Sequence, residues 1–575
     1  MQSWSVLISV VALLGLLASG RIPPAMLFTG WAGGFVLFGV IDSSDMLASF
    51  ANPALATLIL LMLVSLALER SQVLDLLSEK LLRGRESVAL LRLMGTTAIL
   101  SAFLNNTAVV ASFLGAISRQ RKITSSRLLI PLSYASILGG ITTLIGTSTN
   151  LVVSSFAVNA GLPALEMFQF SLVGVPVALL CILVLLLSAR NLPANQTDAQ
   201  DSSLEYFLNA LVLSDSALIG KSIEVNKLRN LDGLFLLEIE RDGHLISPVG
   251  PEEIIQAGDI LAFTGEVQKV QTLQRFQGLE LFGSRADDLL ATNLVEVVIS
   301  NQSELANRTL QEVDFRTMFN AGVVGIRRGE KRMQQQLGRI PLRVGDSLLL
   351  AVGADFRQHR NLDRNFHVLS GSLQRPRLSD TQSALALSGF AAVIIAATIG
   401  LVPLFNGLLL LLGALLASRI LSVSEMRRRF PFELLLMVGS ALTIARGLEA
   451  SGAAQLVANF IQSYANGFGT MGALVGVYLL TLVLTETVTN NAAAALAFPI
   501  ALSTAEAFGA DPLPFIMIVA FGASACFLIP FGYQTHLMVY SPGRYRLQDY
   551  VKTGLPVSLT YSVAVLVLVP WVFPF

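Results

Sequence analysis

Charge is what this 575-residue chain has least of: Asp, Glu, Lys and Arg make up 14% of it, while 53% is apolar. A soluble domain carries about 25% charged residues. The deficit is concentrated in long apolar runs, which predicts an integral membrane protein. The 39 basic and 39 acidic residues cancel, so there is no bulk basic signal for nucleic acid. Only two cysteines are present, Cys181 and Cys526, each inside an apolar segment. They read as small packed hydrophobes, not as a disulfide or metal pair. No nucleophile–base pair or metal-ligand spacing is visible, so an enzyme is not expected. His244, His359 and His367 are scattered and read as solvated surface residues.

Apolar runs suited to spanning fall near 5–20, 23–41, 52–70 and 168–190, and again near 384–404, 406–421, 432–449 and 556–575. The first, from Val6 to Ala18, follows a start without Lys or Arg and is read as a retained helix, not a signal peptide. A short amphipathic stretch, Leu74 to Leu82, is expected at the membrane interface. Four further runs, near 87–118, 127–157, 468–505 and 512–542, are too long for one straight crossing of roughly 20 residues. Two carry a polar cluster in the middle: Ser101-Ala-Phe-Leu-Asn-Asn-Thr-Ala108 and Thr485-Glu-Thr-Val-Thr-Asn-Asn-Ala492. The other two are interrupted at a glycine: Gly146-Thr-Ser-Thr-Asn150 and Gly532-Tyr-Gln-Thr-His536. The expected forms are two re-entrant hairpins with polar tips and two broken helices. The order of pieces repeats, so the membrane part reads as two repeats, 1–192 and 380–575, the plan of secondary transporters with a site between discontinuous helices.

Lys and Arg are also missing from the loops near 42–51, 158–167, 450–467 and 506–511. Alternate loops hold the basic residues, among them Arg70, Lys80, Arg83, Arg121, Lys122, Arg427 to Arg429, Arg544 and Lys552. The positive-inside rule makes the second set cytoplasmic, the repeats inverted and the C-terminal Phe575 external.

Between the halves the chain becomes charged and strand-like. Ile239-Glu-Arg241, Gly258-Asp259 and Gly220-Lys-Ser-Ile223 recur 87 residues later as Ile326-Arg-Arg328, Gly345-Asp346 and Asn307-Arg-Thr-Leu310. Two small tandem α/β domains, about 203–285 and 290–371, are expected there, in the cytoplasm.

A cation stripped of water needs several oxygen ligands. Asn and Ser/Thr side chains and freed backbone carbonyls supply them without adding charge, and helix N-termini hold anions. Two matched clusters plus two matched breaks therefore read as one site for Na⁺ and an anion, although Ser, Thr and Asn in membrane helices also serve simply to bond neighbouring helices.

Leu104-Asn-Asn-Thr107 and Val488-Thr-Asn-Asn491 resemble the paired Ser-Asn-Thr signatures of the divalent anion/Na⁺ symporters, the SLC13-type permeases. The segments Gly139 to Asn150 and Pro530 to Tyr540 are similar to that family's broken helices. The inserted pair resembles the TrkA-C (RCK-C) ligand-binding domains that some bacterial members carry. The resemblance implies an α-helical polytopic fold, a homodimer in the bacterial inner membrane, and an elevator-type movement. It implies one Na⁺ site at Ser101, Asn106 and Gly146 and another at Thr485, Asn490 and Gly532, with Asn105 and Thr489 counted among the ligands. Asn105, Asn106, Thr107, Thr147, Thr489, Asn490, Asn491 and Tyr533 would flank the anion. The signatures depart from the family pattern at Asn105, Thr489 and Asn491. Asn491, where carboxylate carriers keep Thr, tips the expectation towards sulfate, with a dicarboxylate or a proton-coupled oxyanion as alternatives. The effector of the inserted domains is not identified by the sequence. His536, where the family has Asn, reads either as a hydrogen-bonding or pH-sensing group or as a packed one. Glu486 is open between proton coupling, cation assistance and backbone capping. Arg446 is expected to pair with Glu449 at the interface.

Overall fold

The computed structural model describes residues 2–19, 22–70, 81, 85–119, 123–188, 192, 205–228, 231, 234–242, 244–246, 249–266, 273, 275–281, 294–300, 303–313, 315–319, 321–333, 337–352, 356, 362–369, 378–465 and 467–575. Most of the amphipathic stretch at 74–82, the basic residues at 121–122 and His359 lie outside these residues.

The first half runs through α1 (Gln2–Ser19), α2 (Pro24–Leu37), α3 (Ser43–Phe50), α4 (Pro53–Glu69), α5 (Glu86–Ser101), α6 (Asn106–Arg119), α7 (Ser125–Gly140), α8 (Ser148–Asn159) and α9 (Ser171–Ser188). The second contains α10 (Asp380–Thr398), α11 (Leu404–Ala417), α12 (Val423–Arg429), α13 (Phe432–Ala450), α14 (Ala453–Ala465), α15 (Gly469–Thr487), α16 (Asn490–Phe508), α17 (Pro512–Ala523), α18 (Gln534–Tyr540) and α19 (Leu547–Val572). Among the described residues, six helices are long and apolar enough to cross a membrane, or seven if α12 and α13, bent by 53°, form one span.

Local chemistry sets several of these boundaries. Asn52 caps α4 through Ala54 N, with Pro53 in the first turn, and Asp511 caps α17 through Leu513 N in the same way. A Ser379–Gln382 capping box opens α10. Gly509, at φ +61°, closes α16 in the left-handed conformation. The last helix begins nine residues earlier than the expected span at 556. Asp549 bonds back to Arg546 N, so the charged stretch read as a loop is the helix's capped first turn. The helices α3, α12 and α14 were not foreseen.

Each polar cluster is the turn of a helix–turn–helix, between α5 and α6 and between α15 and α16. Each glycine break separates α7 from α8 and α17 from α18. The two halves interlock: α4 packs on α11, α2 on α13, α9 on α19 and α8 on α16. Arg70 bridges to Glu425 at 3.1 Å. Arg446 also crosses between halves, to Asp45 at 3.3 Å and to the Asn159 side chain, instead of pairing with Glu449. Both cysteines are buried and free.

Among the described residues, the region between the halves holds two five-stranded sheets. The first comprises β1 (Glu205–Val212), β2 (Leu234–Arg241), β3 (His244–Ile246), β4 (Ile260–Glu266) and β5 (Leu279–Leu281), in the order β3-β2-β4-β1-β5. The second comprises β6 (Leu294–Ile299), β7 (Ala321–Arg328), β8 (Lys331–Arg332), β9 (Ser347–Val352) and β10 (Phe366–Val368), in the order β10-β6-β9-β7-β8. Read from the opposite edge, the second order equals the first. The offset of 87 extends to details the sequence did not advertise. The bulge at Leu236/Glu238 recurs at Val323/Gly325, and the isolated bridge Ser222–Ile254 recurs as Thr309–Pro341. Arg241 forks onto Asp259 at 2.8 and 2.9 Å, and Arg328 onto Asp346 at 2.7 Å through both nitrogens. Such bidentate pairs are directional and strong. The bond from Asp259 holds the Arg241 proton more tightly than usual, against the opposing effect of burial.

Candidate ion and anion site

The first break opens because Gly139, Gly140 and Gly146 let three backbones approach. A Cβ on Gly139 would lie 2.1 Å from Ala98 O, and one on Gly174 in α9 would lie 2.7 Å from Ile141 O. Side chains then satisfy most of the backbone that leaves the helix. Thr143 Oγ1 donates to Ala102 O and accepts from Gly146 N at 3.1 Å. Asn150 Nδ2 donates to Thr143 O at 2.8 Å, and Ser171 Oγ to Thr142 O at 2.6 Å.

Two buried oxygens flanking the turn of the first hairpin remain unpartnered. Ser101 Oγ and Asn106 Oδ1 are buried without a hydrogen-bond partner among the described residues. Asn106 Nδ2 is committed to Tyr533 Oη at 2.8 Å, which fixes the amide with its oxygen unpartnered. A Cβ on Gly140 would lie 2.9 Å from Asn106 Oδ1 and 3.1 Å from Gly146 O; one on Gly146 would lie 2.5 Å from Gly140 O and 3.0 Å from Ala102 O. The Asn106 amide, with Nδ2 at 2.8 Å and Oδ1 at 2.9 Å from a Gly140 Cβ, and three carbonyl oxygens therefore crowd around the gap the two glycines leave. Buried polar atoms are ordinarily paired, so the two unpartnered oxygens leave ligand capacity here.

The second break uses the same strategy with different residues. Carbonyls of Phe521, Ala523, Cys526 and Phe527 accept from Tyr561, Thr485, His536 and Tyr134. Glu486 Oε1 accepts from Phe527 N and Leu528 N, both at 3.0 Å. Thus Glu486 caps freed backbone, one of the three roles left open by the sequence. His536 is fully buried, with Nε2 facing Cys526 O at 2.8 Å and Nδ1 facing Ser133 Oγ at 2.7 Å. A carbonyl partner makes Nε2 the N–H side, and the ring is packed and satisfied. Glu486→Gln keeps an oxygen for both amides, so uptake at least half of the parent's is expected; Glu486→Ala strands both amides and should lose most activity. Initial-rate uptake with both variants checks this, and equal losses would contradict the capping role.

The second cluster is less open than the first. Thr485 Oγ1 shares its single proton between Ala523 O and Asn490 Oδ1, the latter at 3.0 Å, so the two residues equivalent in spacing to Ser101 and Asn106 lie within hydrogen-bonding reach of each other. A Cβ on Gly532 would lie 3.5 Å from Thr485 O and 3.7 Å from Ile529 O, a wider gap than at Gly146. Ser524 Oγ and Glu486 Oε2 are the unpartnered buried oxygens on this side among the described residues.

The two halves meet at their tips. Thr107 Oγ1 bonds Gln534 Oε1 at 3.2 Å, beside the Asn106–Tyr533 bond. Asn491 Oδ1 accepts from Ser148 Oγ and Thr149 Oγ1, each at 3.3 Å. Each hairpin thus touches the opposite half's broken helix. Asn105 and Thr489 are exposed at the tips, Thr107, Ser148 and Asn491 are half-buried, and Thr147 caps α8 through Thr149 N. Asn105 Oδ1 accepts from Thr107 N at 3.0 Å, and Thr489 Oγ1 lies 3.9 Å from Met437 Sδ. The N-termini of α6, α8 and α16 lie at these tips, so exposed hydroxyls, amides and N–H groups are available to an anion.

The sequence reading missed Thr143, Ser148, Thr149, Asn150 and Gln534, all within the quoted break motifs. It also missed a repeated signal, Gly174-Val-Pro-Val177 and Gly554-Leu-Pro-Val557. The two glycines do the same thing: a Cβ on Gly554 would lie 2.1 Å from Phe527 O, as one on Gly174 would press on Ile141 O.

Duplicated hairpins and broken helices, each tip bonded to the opposite half, are the arrangement of a membrane transporter. The chain belongs to the citrate transporter family (CitMHS), whose model matches residues 3–522. It is similar to an uncharacterized transporter of Synechocystis sp., 31% identical over 94% of this chain and 92% of that protein. It is similar to an uncharacterized transporter of Escherichia coli, 26% identical over 100% of this chain and 99% of that one. Sodium/sulfate cotransporter 1 of Chlamydomonas reinhardtii is 29% identical over 61% of this chain and 41% of its own length.

Proposed function

We propose that the chain is a Na⁺-coupled symporter of a divalent anion, with sulfate the favoured substrate. The observation that carries this reading is the pair of unpartnered oxygens flanking the turn of the first hairpin, Ser101 Oγ and Asn106 Oδ1, the latter beside the carbonyls of Ala102, Gly140 and Gly146. Na⁺ held there, and a second ion near Thr485, Asn490 and Gly532, supplies positive charge that the tips themselves lack. The anion then binds between Asn105, Thr107, Thr489 and Asn491, and the ions' charge offsets its own. Thr147, Tyr533, Asn106 and Asn490 border the same space. The relative named a sodium/sulfate cotransporter supports both the ion and the anion.

In this reading the hairpins and broken helices move as a body against the remaining spans, an elevator-type alternation, within a homodimer in the bacterial inner membrane. The sheets within 203–285 and 290–371 are TrkA-C-like domains on the cytoplasmic side and regulate uptake by binding a small effector. A second reading, a di- or tricarboxylate carrier, is favoured by the description of the matching family. Proteoliposomes loaded with the purified protein separate the two. Labelled sulfate should accumulate only with an inward Na⁺ gradient, while succinate and citrate compete weakly. Carboxylate uptake that excludes sulfate supports the second reading, and uptake of all three without Na⁺ dependence sinks the symporter.

A further inference from the structure

Among the described residues, the second inserted sheet grips the membrane part through Gly329 and Gly345. Gly329 N, in the turn between β7 and β8, donates to Ser541 Oγ at 3.0 Å, and Ser541 Oγ donates to Gly345 O. Ser541 is fully buried just past the end of α18. Both glycines have left-handed backbones, φ +56° and +85°. They allow a close approach: a Cβ on Gly329 would lie 2.8 Å from the Tyr540 ring, and one on Gly345 3.0 Å from Leu537 O. Outside this grip, Arg546 Nε bonds Glu330 Oε2 at 2.6 Å. The position 87 residues before Gly345 is Gly258, with the same φ of +85° and nothing within 4 Å of its would-be Cβ. The close approach is thus a property of the second sheet and not of the repeated turn.

The gripped helix is short. α18 has seven residues, about 10 Å of rigid rod. At its other end, Tyr533 Oη accepts from Asn106 Nδ2 and Gln534 Oε1 from Thr107 Oγ1. The bond to Tyr533 occupies Asn106 Nδ2 and leaves Asn106 Oδ1 as the amide's unpartnered atom beside Gly140. We propose that the second inserted sheet is a latch on α18 and that Ser541, held by Gly329 and Gly345, is a positioning residue for the Asn106 cradle. The inserted region then sets the affinity of the first cation site through the placement of one helix. An effector acting on the sheets alters sodium dependence before it alters the turnover of the loaded carrier. This rests on the sodium-coupled reading above.

The test uses full-length protein in proteoliposomes and reads the sodium half-saturation and the maximal rate separately. Gly345→Gln wedges a side chain against α18; Gly258→Gln imposes the same backbone strain where there is no neighbour. The expected result is a half-saturation raised about threefold or more by Gly345→Gln, with Gly258→Gln close to parent and maximal rates little changed, and no further shift when Gly345→Gln is added to Tyr533→Phe. Ser541→Ala, which removes both bonds without adding volume, should shift in the same direction if Gly345→Gln accumulates poorly. Equal shifts from Gly345→Gln and Gly258→Gln, or a shift that persists undiminished in Tyr533→Phe, overturn the latch. Sodium-dependent parent uptake with no shift in Gly345→Gln or Ser541→Ala overturns the latch alone. Parent uptake indifferent to sodium overturns the function it rests on as well.

Discussion

Asn106→Ala removes sodium-dependent anion uptake from a protein that still folds. The side chain does two things at once: its nitrogen ties the first hairpin to Tyr533 at 2.8 Å, and its oxygen is left without a partner beside Gly140. Truncating it takes a ligand from a desolvated cation, and removing one partner of a buried charge costs about 3 kcal/mol, more than 100-fold in affinity. The fold should survive, because the surrounding backbone is held independently by Thr143, Asn150 and Ser171. Asn490→Ala is expected to be milder, about tenfold, because Asn490 Oδ1, 3.0 Å from Thr485 Oγ1, shares the Thr485 proton with Ala523 O, whereas Asn106 Oδ1 has no partner among the described residues. Uptake measured across sodium concentrations checks both, with size-exclusion profiles as the measure of folding. Equal losses from the two substitutions would mean that the halves are more alike in ion binding than their hydrogen bonds are.

Gly146→Ala should be as severe by a different route. The added methyl would sit 2.5 Å from Gly140 O and 3.0 Å from Ala102 O, where no carbon fits without moving backbone. It fills the gap that a cation would occupy, so saturating sodium should not restore uptake. Gly95→Ala, on α5 of the same hairpin, has nothing within 4 Å and is the matched control. It should transport normally and gain up to about 1 kcal/mol from helix propensity. Normal uptake by Gly146→Ala, measured as initial rates at high sodium, would show that the gap beside Gly140 is not an ion path.

The large plan was legible because lipid leaves a chain few choices. Backbone at membrane depth must be satisfied internally, so an overlong apolar run with a polar centre has to turn or break there. That argument placed the turns at Asn105 and Thr489 and the breaks at Gly146 and Gly532. The offset of 87 was equally legible, because a Gly-Asp turn and an Arg at the strand end repeat at one spacing. Lateral partnership was not legible. Glu486 and His536 looked like chemistry because ionisable groups in apolar runs usually are. Their partners are the backbone of a break some 40 and 10 residues away in sequence, which no local pattern announces. The pairing of Arg446 with Glu449 failed for the same reason: spacing along a helix proposes one neighbour, and packing supplied Asp45 from the other half. The grip of Gly329 and Gly345 on α18 was also invisible, since each glycine already had a sufficient explanation as a turn.

The central claim is that cation and anion occupy one coupled site, and reciprocal flux tests it most directly. Proteoliposomes containing the protein, with equal sodium on both sides, are given an inward sulfate gradient while labelled sodium is followed. The account predicts that sulfate drives sodium inward above its equilibrium distribution, and that Asn106→Ala abolishes this. Sulfate entry that leaves sodium at equilibrium would contradict it.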